Sequence, residues 1–170
     1  MRFKINEIGA EGLSLDVAIT PEWLAGACPD LEMRPAAEGL SLRGRLSETG
    51  DDYLLLAQIR GALDTTCARC LEPARVQIEA PLAVTFVPAD DDDELDDADD
   101  VVGFAGNEIF LDDEVRDAIL LAIPLQVLCT ESCRGLCSVC GGNRNAVPCE
   151  CEAERRESAS RFAALGKLKI

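Results

Sequence analysis

Nine cysteines stand among 170 residues, and eight of them come in close pairs. Cys67 and Cys70 form a CxxC inside TCARCLEP. Further along, within LCTESCRGLCSVCGGNRNAVPCEC, Cys129 and Cys133 form a CxxxC, Cys137 and Cys140 a second CxxC, and Cys149 and Cys151 a CxC. A tetrahedral Zn2+ takes four thiolates at about 2.3 Å each, commonly as two close pairs from separate turns. Eight thiols therefore make two such sets. Four pairs sort into two sites in three ways, and spacing alone does not choose among them. Cheap loop closure favours Cys137, Cys140, Cys149 and Cys151 as a local site, since only eight residues separate its two pairs. Cys67, Cys70, Cys129 and Cys133 then form the other site, tying the first half of the chain to the last. Gly141 and Gly142 permit the tight turn after the second CxxC, and Asn143 and Asn145 suit the turn that follows. Disulfides, an iron-sulfur cluster or a redox dithiol are the competing uses of such cysteines, and the spacing matches neither standard ferredoxin pattern. Cys28 lies far from the cluster and reads as a core thiol or a bystander.

Histidine is absent, which removes an imidazole base, an imidazole ligand and every Ser-His or Cys-His pair. Two closed four-thiolate sites would leave no open coordination position, so the expected Zn2+ is structural, no catalytic residue is expected and the chain is not expected to be an enzyme.

The elements that must position these sulfurs are strands before helices. Leu13–Ile19 alternates with period two, Thr20 and Pro21 read as the cap and first residue of a short helix over PEWLAGA, and residues 40–46 and 53–63 read as a hairpin around SETGDD. Residues 75–87 alternate again through Val76, Ile78, Ala80, Leu82, Val84 and Phe86, and Glu108–Leu111 is a short strand candidate. Asp112 is expected to cap a central helix with Val115, Ala118, Ile119 and Ala122 on one face, ended by Pro124. In the tail, Ala159, Phe162 and Ala163 give a weak apolar stripe, read as a short C-terminal helix. The fold class expected is α+β, with mainly antiparallel strands in the N-terminal half, one central helix, a Cys-rich zinc-binding C-terminal module and a short C-terminal helix. Residues 1–128 would form the strand-rich domain and 129–170 the module packed with it.

Lys and Arg total 16 against 32 Asp and Glu, a net charge of -16. That balance argues against wrapping duplex DNA or binding an anionic membrane. Nine of the carboxylates fall within DDDDELDDADD, residues 90–100, a block that repels itself and reads as a disordered loop over residues 89–100, with docking to a basic partner as the sharper alternative. From Cys129 onward seven Lys or Arg face five Glu. Arg69, Arg134 and Arg144 beside the cysteines, and Arg155, Arg156, Arg161, Lys167 and Lys169 in the tail, are the candidate contacts for RNA or a partner. Phe162 stands alone there, so a base-stacking platform is not expected. The N-terminus lacks the apolar stretch of a signal peptide, and the longest apolar run, Ala118 to Leu125, falls far short of the roughly 20 residues that cross a bilayer. A cytoplasmic protein with no membrane partner is expected.

TCARCLEP, IPLQVLC and CRGLCSVCGGNRNAVPCEC together resemble the bacterial YceD family, the large ribosomal RNA subunit accumulation proteins. The likeness runs in order along nearly the whole chain, and the family's cysteine positions match all eight paired cysteines here. Arg144 stands where an apolar residue is usual, and Ala159-Ser160 where Asp-Pro is usual. The resemblance implies a non-catalytic ribosome-biogenesis factor supporting synthesis, processing or stability of large-subunit ribosomal RNA, with that RNA or ribosomal proteins as partners and no DNA or small-molecule substrate. Two other readings stay open: a thiol redox protein or sensor using Cys67 and Cys70, and an acidic chaperone that shields a basic ribosomal protein.

Overall fold

A computed structural model describes residues 1–89, 100–147 and 149–151. The described residues divide into two compact units: Met1–Thr65 with Arg75–Val127, and Thr66–Ala74 with those from Leu128 to Cys151. The segment Thr66–Ala74, assigned from sequence to the strand-rich part, thus belongs to the unit that carries the later cysteines.

The first unit is built on a five-stranded sheet in the order β2-β3-β4-β5-β6, with β2 Leu13–Ile19, β3 Arg34–Thr49, β4 Asp52–Thr66, β5 Pro73–Pro88 and β6 Val101–Phe104. β2 to β3 and β3 to β4 pair antiparallel, from Leu13 opposite Leu46 to Thr49 opposite Asp52. β5 keeps strict alternation: Ala74, Val76, Ile78, Ala80, Leu82, Val84 and Phe86 are all buried. This is the period-two face expected of a half-buried strand. On β4 the alternation breaks where Ala62 and Leu63 are both buried. Gly61 sits there at φ 149, and a Cβ on it would lie 2.1 Å from the Gly39 carbonyl oxygen. Only glycine lets β3 bulge between Pro35 and Leu40 at that point.

β6 runs parallel to β5, Thr85 opposite Val101. Parallel neighbours need a crossover of about a dozen residues, and here the connecting chain is the acidic block. The proposed disordered loop over 89–100 falls almost wholly on residues 90–99, outside the described residues. A second, two-stranded sheet pairs β1 Arg2–Lys4 with β7 Glu108–Phe110.

Two α-helices are present among the described residues, where the sequence reading counted one central helix in the fold class: α1 Pro21–Ala27 and α2 Asp112–Ala122. Thr20 caps α1 by accepting a hydrogen bond from the Trp23 backbone N–H at 3.2 Å, with Pro21 at the first helical position. The cap expected at Asp112 is instead Leu111, without a side-chain hydrogen bond. Asp112 is the first helical residue, and its carboxylate accepts from the Trp23 indole N–H at 2.5 Å and from the Met1 ammonium. Burial pushes its carboxyl up, but those two partners outweigh burial and hold it below the usual value. α2 buries Val115 and Ile119 and ends at Ile123, which is extended as a residue before proline must be. No polar side chain is buried in the described structure. No described helix is long and apolar enough to cross a membrane. The expected C-terminal helix lies outside the described residues.

Candidate metal centres

Both CxxC segments fold into the same turn. In the first, the Leu71 N–H reaches the Cys67 carbonyl at 3.0 Å and the Cys67 N–H reaches the Glu72 carbonyl at 2.8 Å. In the second, Gly141 reaches Cys137 at 2.9 Å and Cys137 reaches Gly142 at 2.8 Å. The residue after the second cysteine takes a left-handed conformation in each, Leu71 at φ 63 and Gly141 at φ 71. The turn also aims a backbone N–H at the first sulfur: Arg69 to the Cys67 Sγ and Val139 to the Cys137 Sγ, both at 3.4 Å. Such donors favour thiolate over thiol.

The sulfurs gather as two groups of four. Cys67, Cys70, Cys129 and Cys133 form one and Cys137, Cys140, Cys149 and Cys151 the other, with all ligand atoms of each group within 4.8 Å of one another. The Cys67 and Cys133 sulfurs lie 3.7 Å apart, and those of Cys70 and Cys129 3.5 Å. A tetrahedron of sulfurs about 2.3 Å from a central Zn2+ has edges of about 3.8 Å, whereas a disulfide would draw two sulfurs to about 2.05 Å. All nine cysteines are free thiols, including buried Cys28, whose thiol is pushed up by burial. The donor set is chemically suited to a structural dication: four sulfurs and no oxygen ligand, with no coordination position left for a substrate.

Electrostatics within each group point the same way. At Cys67 burial raises the thiol, yet backbone N–H groups, that of Arg69 first, bring it down to about 6. At Cys70 the Glu72 N–H lowers the thiol, but burial and three neighbouring sulfurs push it up to about 12. The second group divides likewise, with Cys137 brought down to about 6 by the Cys140 and Val139 N–H groups and Cys151 pushed up to about 12, foremost by Cys140. Sulfurs this close cannot all ionise by themselves; a dication among them can hold all four as thiolates.

Three residues outside the cysteines complete the first group. Asn145 donates from Nδ2 to the Cys133 sulfur at 3.3 Å, while its Oδ1 accepts the Arg134 N–H at 2.8 Å. Asn143 donates to the Glu72 carboxylate at 3.1 Å and accepts from Asn145. Gly135, at φ 71, packs so closely that a Cβ would lie 3.0 Å from the Arg69 carbonyl oxygen. The sequence reading took the two asparagines as turn formers and passed over Gly135. The signal was present in the spacing: CRGLC leaves one glycine between two ligand cysteines, and NxN follows the second knuckle.

Of the candidate basic contacts, Arg69 donates from Nη1 to the Cys133 carbonyl at 3.1 Å, and the Arg69 and Arg134 side chains are exposed. Arg144 is half-buried, and its N–H bonds the Gly135 carbonyl. The structure therefore groups Arg69, Arg134 and Arg144 with the cysteine segments. Arg155, Arg156, Arg161, Lys167 and Lys169 fall outside the described residues.

An uncharacterized protein of Mycobacterium tuberculosis is 30% identical over 103 residues, covering 60% of this chain and 50% of its own length. A Zea mays protein named "Large ribosomal RNA subunit accumulation protein YCED homolog 1, chloroplastic" is 28% identical over 188 residues, covering 94% of this chain and 59% of its own length. The chain thus spans about half the length of the curated relatives it matches. No solved structure gives a significant match. The family described as "Large ribosomal RNA subunit accumulation protein YceD" matches residues 55–169, a span holding all eight grouped cysteines together with Gly135, Asn143 and Asn145, and the chain belongs to that family.

Proposed function

We propose that this chain is a non-catalytic, cytoplasmic factor that supports synthesis, processing or stability of large-subunit ribosomal RNA. Each four-cysteine group holds one structural Zn2+. The metals fix a small module that presents Arg69, Arg134 and Arg144 to ribosomal RNA or a ribosomal protein. Membership of a family named for large ribosomal RNA subunit accumulation supports the role, and the gathering of four sulfurs twice over is the observation that carries the mechanism. A redox dithiol needs only two sulfurs, so fourfold grouping favours a metal over the CxxC redox reading. Bound Zn2+ supplies cross-linking and charge, without an open position for chemistry. Guanidinium groups on that frame suit phosphate because their planar donors engage its oxygens in pairs.

The test is a metal assay on freshly purified protein together with crosslinking in cells. Two equivalents of zinc, eight thiols protected until chelation, and recovery of large-subunit precursor RNA or its proteins are expected. Metal-free protein would remove the mechanism; recovery equal to that of an inert acidic control would remove the role.

A further inference from the structure

The edge of β5 away from β4 is, among the described residues, only partly used. Among the described residues, pairing with β6 begins at Thr85 and continues to Pro88. Before Thr85, no described strand follows Glu79–Val84 on that side. Alternate residues of a strand direct their N–H and C=O to the same neighbour. Thr85 and Ala89 donate to Asp100 and Phe104 on the β6 side, so Glu79, Pro81 and Ala83 face that side too. Pro81 has no N–H to offer, which suits an edge position. Among the described residues, this edge thus offers three carbonyls and two N–H groups without a strand partner and is rich in acceptors.

Beside this edge lies a groove of about 640 Å³, walled on its other side by α2. Leu121, 87% exposed, contributes apolar surface, and the buried Leu82 and Val84 also line the groove. Glu114, Asp100 and Asp117 add carboxylates, the last of them paired with the Arg116 guanidinium at 2.9 Å. Burial, reinforced by Asp117 and Asp113 and opposed by Arg116, raises the Glu114 carboxyl group. Asp100 is also where the acidic block rejoins the described chain. The volume falls within the range of ordinary ligand sites, but an open strand edge is recognised by extended peptides, through main-chain pairing plus alternate side chains.

We propose that this groove receives an extended, lysine- and arginine-rich segment of a partner protein, which adds to the edge of β5. Its main-chain and side-chain donors meet the carbonyls and carboxylates, and its alternate apolar residues meet Leu121. An RNA strand would be repelled by the same carboxylates. The proposal goes beyond the metal-held module and does not rest on it.

The test uses the full chain, zinc-loaded, and a fluorescent peptide of about ten residues alternating lysine with valine, the length of one long strand. Anisotropy at fixed ionic strength reads affinity, and amide shifts of Glu79 and Ala83 read pairing. Glu114→Gln, Asp117→Asn and Leu121→Ser together leave the buried Val115 and Ile119 of α2 in place, and they should weaken binding at least about tenfold. A peptide N-methylated on one edge should weaken as much. Replacing the eight acidic residues within 90–99 by serine should weaken binding about threefold or less, through lost long-range attraction. Undiminished binding by the triple variant or the N-methylated peptide would overturn the proposal. So would loss of binding only when the acidic block is replaced, or self-association of the chain in place of peptide binding. None of these readouts depends on ribosomal RNA.

Discussion

The segment Cys67–Cys70 and the segment Cys137–Cys140 make one turn, hydrogen bond for hydrogen bond, and then diverge. In the first group Cys67, Cys70 and Cys133 are buried, and Asn145 braces the Cys133 sulfur from outside. In the second, Cys137 is buried while Cys140 is exposed and Cys149 and Cys151 are half-exposed. The first draws Cys70 and Cys129 together across 59 positions; in the second, Cys140 and Cys149 stand nine positions apart. Closing the longer loop costs about 1.7 kcal/mol more in chain entropy. A turn of this kind presents two sulfurs wherever it occurs. What surrounds the turn decides how firmly they are kept.

Breaking each group in turn should separate the two most strongly. Cys67→Ala and Cys140→Ala are each expected to lose one equivalent of metal, with apparent binding free energies on the order of 10 kcal/mol at stake. Thermal unfolding should fall further for Cys67→Ala, because Cys67 is fully buried whereas Cys140 is exposed. Equal losses in calorimetry would mean that the groups are equivalent. Chelator competition should sharpen the same contrast without mutation, as zinc leaves in two phases and the group with exposed Cys140 empties first. Peptide mapping of newly alkylated cysteines identifies which group that is.

Smaller effects follow from the bracing residues. Asn145→Leu removes a donor to sulfur and should weaken the first metal about 10-fold to 100-fold, the usual range for outer partners of a metal site. Cobalt substitution would show an altered charge-transfer band for one site only. Gly135→Ala should cost roughly 2 kcal/mol, from its left-handed backbone and from its contact with Arg69. Gly141→Ala, at the same φ but with nothing within 4 Å of the added atom, should cost about 1 kcal/mol. Leu71→Gly gives the first knuckle the residue the second already has. Stability should rise by about 0.5 kcal/mol, the strain relieved less the added freedom of the unfolded chain.

Where one interaction dominated, the sequence could be read directly. Strands β2 and β5 and helix α1 announce themselves through alternation and through Thr20-Pro21, and β7 was visible in Glu108–Leu111. The four-by-four grouping of cysteines was favoured by loop length but left open by spacing. Elements set by distant partners were not legible: β1 is only three residues long, and β6 is four residues without a regular pattern. Asp112 has the composition of a cap, but Trp23 and the Met1 ammonium, both remote in sequence, claim its carboxylate. Asn145 is likewise a turn former by composition, and only folding reveals the sulfur it serves.

The 59-position gap between Cys70 and Cys129 also sets an order of events on the translating ribosome. At about 5–20 residues per second, the older CxxC pair spends on the order of 3 to 12 s awaiting its mates. The later four sulfurs emerge almost together. A nascent chain therefore passes through a stage with one open dithiol, and scarce metal or an oxidant at that moment reaches the group that is the better protected in the finished protein.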